Sequence, residues 1–293
     1  MSRSQPSRLA EHLAKTVRKT RHRYCKRLAR CRDKVSKTAV HDVRVETRRV
    51  LVLLELLCQL GFFKSQNKLS QTVRKRLKAF GDLRDVQVEL ELLNPFWAQF
   101  PQAIGFKTVL ERREEKLTSK LSAKIREPKF ASVNDDLKRV EKQVARSAAL
   151  GNVMLSEARA ALGAVFQEVE LLREQVRGDD PASIHQMRVA FKRFRYLNEL
   201  LQPVLRGITD PLLARMKEYQ QSAGAVQDLE VLIGRLAREV KHRKLNPAKI
   251  RDLRAELLRL RKQAIEKFLR RVDDFRQFQP FRPPEPQKEK RSS

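Results

Sequence analysis

Residues 40–57 read VHDVRVETRRVLVLLELL and residues 184–201 read IHQMRVAFKRFRYLNELL, and the two stretches align without a gap at an offset of 144. The match pairs His41 with His185, Arg44 with Arg188, Arg48 with Lys192, Arg49 with Arg193 and Glu55 with Glu199. Whatever the first half folds into, the second half must therefore repeat. At ~100° per residue, His41, Arg44, Arg48 and Glu55 share one helix face while Val43, Val50, Leu54 and Leu57 take the opposite one. His185, Arg188, Lys192, Arg195 and Glu199 repeat the layout against Met187, Phe194 and Leu201. Each copy offers a cationic stripe backed by apolar core.

A second match supports the replay. GDLRDVQVEL at 81–90 aligns with GAVQDLEVLI at 224–233, now at an offset of 143, so one residue has been lost between the motifs. Gly81, Asp85 and Val88 match Gly224, Asp228 and Val231, and the same offset pairs Arg74 with Lys217. With only 9 glycines, few β-branched runs and abundant Leu, Ala, Arg, Glu and Lys, the chain reads as all-α. Periodicity and breakers predict helices over about 8–32, from a Thr38 cap to Gly61, 64–80, 82–93, 103–126 and 133–150, with Gly81 as a stop. The second half is expected to place them at 152–177, 182–205, 210–223, 225–243 and 247–275. On this reading one domain spans 5–277, with halves of about 8–150 and 151–277, and 278–293 is a Pro-rich, charged tail without fixed structure.

Lys plus Arg at 64 against Asp plus Glu at 35 gives a net charge of +29, while 41% hydrophobic residues suffice for a core. So large an imbalance costs self-repulsion unless a counter-charge relieves it, so a polyanionic partner is expected. No segment is apolar over the 18 or so residues needed to span a bilayer, which argues against membrane insertion. The start lacks the apolar stretch of a secretory signal. Cys25, Cys31 and Cys58 form an odd set without metal-ligand spacing to histidines, which fits reduced thiols in cytosol, with Cys58 as a small core residue.

The paired VHDVRVETRR and IHQMRVAFKRFRY segments, each followed some 43 or 44 residues later by LRD or VQD, resemble the conserved histidine α-helical domain, CHAD, over nearly the whole chain. That resemblance implies two pseudo-symmetric, antiparallel helical-bundle halves facing each other across a basic central groove that binds inorganic polyphosphate. Family members stand alone or are fused to a triphosphate-tunnel catalytic domain, for which this chain has no room. The resemblance allows a cytoplasmic protein that rides on polyphosphate granules. In one departure, Tyr196 and Asn198 stand where the first copy has Val52 and Leu54, and Gln227 stands opposite Arg84, so the halves need not contribute equally.

The residues agree with that implication. A linear phosphate chain presents closely spaced anionic oxygens and no bases, so its recognition rests on many charge-assisted hydrogen bonds, for which Arg supplies a planar fork and Lys a point charge. The expected contacts are His41, Arg44, Arg48, Arg49, Arg74, Lys78 and Arg84 from the first half. From the second they are His185, Arg188, Lys192, Arg193, Arg195 and Lys217. Asp85 and Asp228, each following a glycine, read as helix-start carboxylates, with orientation of a stripe cation as the alternative. A nucleic-acid partner is the second reading, weakened by an aromatic content of 6% concentrated at core spacing. A metal-dependent phosphohydrolase is third: His41-Asp42 has only His185-Gln186 opposite it, and no carboxylate cluster or activated nucleophile can be assembled. The chain is expected to be a binding protein without catalysis, cofactor or metal.

Overall fold

In the computed structural model, which describes residues 8–62, 68–148 and 155–280, the chain folds into α-helices with short 3-10 turns and no strand among those residues. The helices are α1 (Arg8–Asp33), α2 (Lys37–Gln59), α3 (Lys68–Leu93), α4 (Ile104–Arg126), α5 (Pro128–Ala148), α6 (Leu155–Glu174), α7 (Pro181–Leu201), α8 (Asp210–Lys241) and α9 (Pro247–Leu269). The duplication is visible in the packing. α1 and α2 pair as α6 and α7 do, α2 and α3 as α7 and α8, and α3 and α4 as α8 and α9. The additional helix α5 closes the first half by lying along α1.

Local chemistry sets most boundaries. Ser36, rather than the expected Thr38, caps α2 by accepting a hydrogen bond from the Ala39 amide. Gly61, at a φ of 77°, ends that helix as expected. Asp180 and Asn246 cap α7 and α9, each followed by a proline in the first turn. The glycine breaks expected at 81 and 224 do not occur, because α3 and α8 run straight through both positions. A single glycine costs a helix only about 1 kcal/mol, which packing on both sides of it overrides.

Two apolar clusters hold the halves together. The larger one buries the inner faces of α1, α2, α6 and α7, including Leu54, Leu57, Phe191 and Phe194. The smaller one joins the far ends of α3 and α8 to α4 and α9 through Val86, Leu93, Phe106, Leu232 and Leu253. Each such side chain, fully buried, contributes about 1.5–3 kcal/mol. Cys31 is buried and Cys25 and Cys58 half-buried, all three as free thiols.

The chain beyond α9 corrects the expected boundary at 278. A 3-10 segment, Val272–Phe278, turns back so that Phe275 and Phe278 enter the larger core, Phe275 against Phe166 and Phe278 against Phe191. The buried Tyr219 hydroxyl donates to the Val272 carbonyl at 2.8 Å and fixes the return. The remainder of the expected tail, 281–293, lies outside the described residues. Phe275→Ala should lower stability by about 3–5 kcal/mol, the range for deleting a buried ring. Urea denaturation would read this, and a loss below 1 kcal/mol would mean that the segment is not part of the core.

Candidate functional site

Four helices, the matched pairs α2/α7 and α3/α8, surround a cavity of about 670 Å³ between the two apolar clusters. Its α2/α7 side is closed by a reciprocal pair of ion pairs. Arg49 meets Glu199 at 3.3 Å and Arg193 meets Glu55 at 3.0 Å. Arg193 is the repeat of Arg49 and Glu199 the repeat of Glu55, so the two contacts are one contact made twice about a pseudo-twofold axis. Across the α3/α8 side, Arg235 Nε donates to Glu89 Oε1 at 2.7 Å, with both side chains buried.

Most of the expected cations meet in this space. From α2 come His41, Arg44, Arg48 and Arg49, and from α3 Arg84. From α7 come His185, Arg188, Lys192 and Arg195, and from α8 Lys217. Three do not line it. Arg74, 63% exposed, is drawn to Glu55 at 2.9 Å. Its counterpart Lys217 faces the cavity because the matching carboxylate, Glu199, is already taken by Arg49 and Arg195. Arg193 is held between Glu55 and Glu168, and Lys78 points outward to solvent while its counterpart Gln221 lines the cavity.

One of the two glycines expected as helix stops, Gly81, has its explanation here. Arg44 lies against α3, where its Nη1 donates to the Leu77 carbonyl at 3.3 Å. A Cβ on Gly81, one turn further on, would fall 2.8 Å from that nitrogen. At Gly224 a Cβ would fall 3.7 Å from Arg188 Nη2. At Gly81 the missing side chain is a slot through which the Arg44 guanidinium passes along its partner helix, whereas the Gly224 distance is an ordinary contact that a Cβ could make. Asp85 and Asp228 sit one turn beyond these glycines, in mid-helix and lining the cavity, not at helix starts. Their negative charges favour the charged forms of Arg44 and Arg188 respectively, without a hydrogen bond or ion pair to either.

Sequence reasoning also missed several lining groups. Glu89 and its partner Arg235 had no counterpart in the second match to flag them. Gln220 accepts a hydrogen bond from Arg195 Nε at 2.8 Å, and Tyr196 lies under the Arg195 guanidinium at 4.4 Å. The repeat-to-repeat differences at Leu51/Arg195 and Leu77/Gln220 were the available signal.

Eight Lys and Arg side chains line the cavity against four carboxylates, and those carboxylates do not neutralise its centre. Glu199 is held by the lining residues Arg49 and Arg195 and Glu89 by Arg235, and among the described residues no carboxylate comes within ion-pair distance of Arg44, Arg48, Arg188 or Lys192. The Nε of Arg188 is buried with no hydrogen-bond partner. Burial, then the charges of Arg48, Arg188 and Arg44, pushes Lys192 down to about 6. Burial and then Arg48 bring Arg44 down to about 10. Both histidines stand at the rim with lowered pKa values, His41 from partial burial and Arg84, His185 from partial burial and Arg188. Among the described residues no group of three or more His, Cys, Asp or Glu is arranged to hold a metal ion.

A family model described as CHAD domain matches residues 15–237 and again, overlapping, 160–282, as a duplicated chain would. A search of the curated proteins found no match. The crystal structure of the CHAD domain from the plant Ricinus communis matches this structure with a TM-score of 0.68 at 18% identity, covering 94% of this chain and 92% of that chain, which shows a shared fold.

The depressed lysine generates a test in the empty protein. In the unfolded chain Lys192 holds its proton up to its ordinary pKa of 10.5, but in the fold only below about 6. Unfolding at neutral pH therefore takes up a proton, so this group's contribution to stability falls as pH drops from about 10 towards 6. Lys192→Met is expected to raise the unfolding free energy at pH 7 by about 1 kcal/mol or more, a typical gain for relieving a local conflict. The gain should shrink as pH approaches 10. Urea denaturation across that range would show it, and equal stabilities at pH 7 would mean that the buried amine carries no penalty.

Proposed function

The chain belongs to the CHAD family, and from that premise we propose that its central cavity binds inorganic polyphosphate. One observation carries the reading: cations from both repeats converge on a space where they lack counter-charges, so the ligand that completes the site is a polyanion. Arg44 and Arg188, Arg48 and Lys192 are matched pairs, which presents similar contacts from both sides to a ligand that is itself a repeat. A bridging chain of phosphates would relieve the repulsion among them and supply the acceptor that Arg188 Nε lacks.

The lining favours phosphate over nucleic acid. Tyr196 is the one Phe, Tyr or Trp among the lining side chains, and at 4% exposure under two guanidinium groups it offers no face on which a base could stack, which leaves the two rim histidines as the available rings. Binding without turnover is part of the proposal, since no nucleophile paired with a base lies among the lining residues. Purified protein given polyphosphate and Mg²⁺ should release no orthophosphate, and sustained release that disappears in His41→Gln would overturn this. A place in the cytoplasm, on polyphosphate granules, is part of the same proposal.

The test of the main reading is competition at physiological salt between long-chain polyphosphate and an RNA of equal phosphate count. Polyphosphate should win, and the affinity should fall steeply with salt, because releasing counter-ions gains less free energy as the bulk salt rises. Arg44→Ala/Arg48→Ala and Arg188→Ala/Lys192→Ala should each weaken binding by at least tenfold. An unchanged affinity in either would remove the cavity from the reading.

Binding should also take up protons. The free protein disfavours charge on Lys192 and on both histidines, and a bound polyanion would favour it, so affinity should rise as pH falls from 8 to 6. Lys192→Arg, which keeps its charge throughout, should flatten most of that slope. Calorimetry in buffers of different ionisation enthalpy would measure the uptake directly, and equal uptake by variant and wild type would assign it to the histidines alone.

A further inference from the structure

The cavity accounts for only part of the charge. Its lining carries four more cations than carboxylates, whereas the chain carries a net +29. Much of the remainder is ordered on α1. Its core face is formed by Leu13, Val17, Tyr24 and Leu28, and its side towards α5 is pinned by Arg21 to Glu141. The face left to solvent carries Lys15, Lys19, Arg23, Lys26 and Arg30. These lie within about 80° of one another at ~100° per residue and extend over about 22 Å at 1.5 Å per residue. Among the described residues Arg23 alone of the five has a carboxylate partner, Glu46 at 3.5 Å.

That stripe is joined to the cavity on the α2 side. Glu46, the partner of Arg23, also holds the cavity residue Arg49 at 2.6 Å. At the α1–α2 corner a smaller concavity of about 190 Å³ is lined by Arg27, Arg30, Lys34, Ser36, Thr38 and Asp42. Thr38 is one helical turn from His41, which stands on the cavity rim. The cavity rim and the α1 face are therefore neighbours across the α1–α2 corner, where Arg30 and Lys34 line the concavity and its carboxylate, Asp42, is already held by Arg27 at 2.6 Å.

We propose that the outward face of α1 is a second polyanion track, along which a phosphate chain leaving the cavity past His41 continues. This rests on the polyphosphate reading of the cavity and adds to it a preference for long chains. A phosphate chain is favoured over a nucleic acid, because Tyr24, the one Phe, Tyr or Trp among residues 15–30, is buried at 1% exposure, which leaves the single imidazole of His22 as the exposed ring of that stretch, too little for successive bases to stack on. Charge complementarity and adjacency to the cavity identify the ligand.

The experiment uses the full chain, with a short polyphosphate that the cavity alone can hold and a long one that overhangs it. The variant Lys15→Gln/Lys19→Gln/Lys26→Gln/Arg30→Gln removes four exposed cations. A control, Lys249→Gln/Arg254→Gln/Lys262→Gln/Lys267→Gln, removes four exposed cations from α9. The α1 variant is expected to lose at least tenfold in affinity for the long chain and less than twofold for the short one, with a shallower salt dependence for the long chain alone. The control should change neither by more than about twofold. An equal loss for both chain lengths, or the same loss in the control, would show a general field and overturn the track, as would unchanged long-chain binding. Single-stranded RNA losing more affinity than polyphosphate in the α1 variant would assign the face to nucleic acid instead. Failure of the cavity reading is separate, because it would leave short-chain binding intact in Arg44→Ala/Arg48→Ala.

Discussion

Like-charge repulsion inside one cavity is the constraint that the rest of the molecule answers to. Arg44, Arg48, Arg188 and Lys192 face one another across the join of the two halves without a carboxylate in contact. Left alone, that repulsion would drive the halves apart. Both flanks of the cavity are accordingly tied. On one side the apolar inner faces of α2 and α7 carry the reciprocal Arg49–Glu199 and Arg193–Glu55 pairs. On the other, the smaller apolar cluster surrounds the buried Arg235–Glu89 pair. Apolar burial at about 1.5–3 kcal/mol per large side chain can outweigh repulsion that water and Asp85 and Asp228 already soften. Removing one member of the buried pair would leave an uncompensated charge in the contact that holds α3 to α8.

The pseudo-twofold axis passes between Val52 and Tyr196, the matched residues midway between the reciprocal ion pairs. Departures from symmetry gather around it. Arg195, Tyr196 and Gln220 stand where the first half has Leu51, Val52 and Leu77, and they extend the polar lining along α7 and α8. The added cation is not free, since Arg195 is bonded to Glu199 and Gln220. Its effect is indirect: by occupying Glu199 it leaves Lys217 facing the cavity, while the corresponding Arg74 is lost to Glu55. Duplication supplied two equal stripes, and a few substitutions near the axis decided which cations remained available.

Much of this was legible because the repeat aligns residues whose chemistry is shared. The stripes at His41, Arg44 and Arg48 and at His185, Arg188 and Lys192 follow from helical period, and both line the cavity. What failed was reasoning from single residue types. Gly81 and Gly224 read as stops because local propensity penalises glycine, yet both lie inside helices, and the use of Gly81 is set by Arg44, a residue 37 positions away in sequence. Asp85 and Asp228 were then misplaced at helix starts for the same reason. Arg74 and Arg193 were included on charge and alignment, and only tertiary contact reveals that Glu55 holds both. Periodicity tells which way a side chain leaves its own helix, not which neighbour waits there.

The pairing of Arg48 with Lys192 shows why such a site tolerates one residue that can lose its charge. A guanidinium stays protonated in nearly any surroundings, so four arginines at the centre would keep the full repulsion in the empty protein. An amine at one of the four positions can release its proton near neutral pH, because burial and the neighbouring arginines disfavour its charge. The cost of holding the halves together is lowered when that amine is neutral, while the three arginines keep their charge. Burial places that amine among three arginines, so the proton it releases is the one whose presence is least favourable. Stability of the fold and the charge of the cavity are thereby partly uncoupled at a single position, which a symmetric pair of arginines could not do.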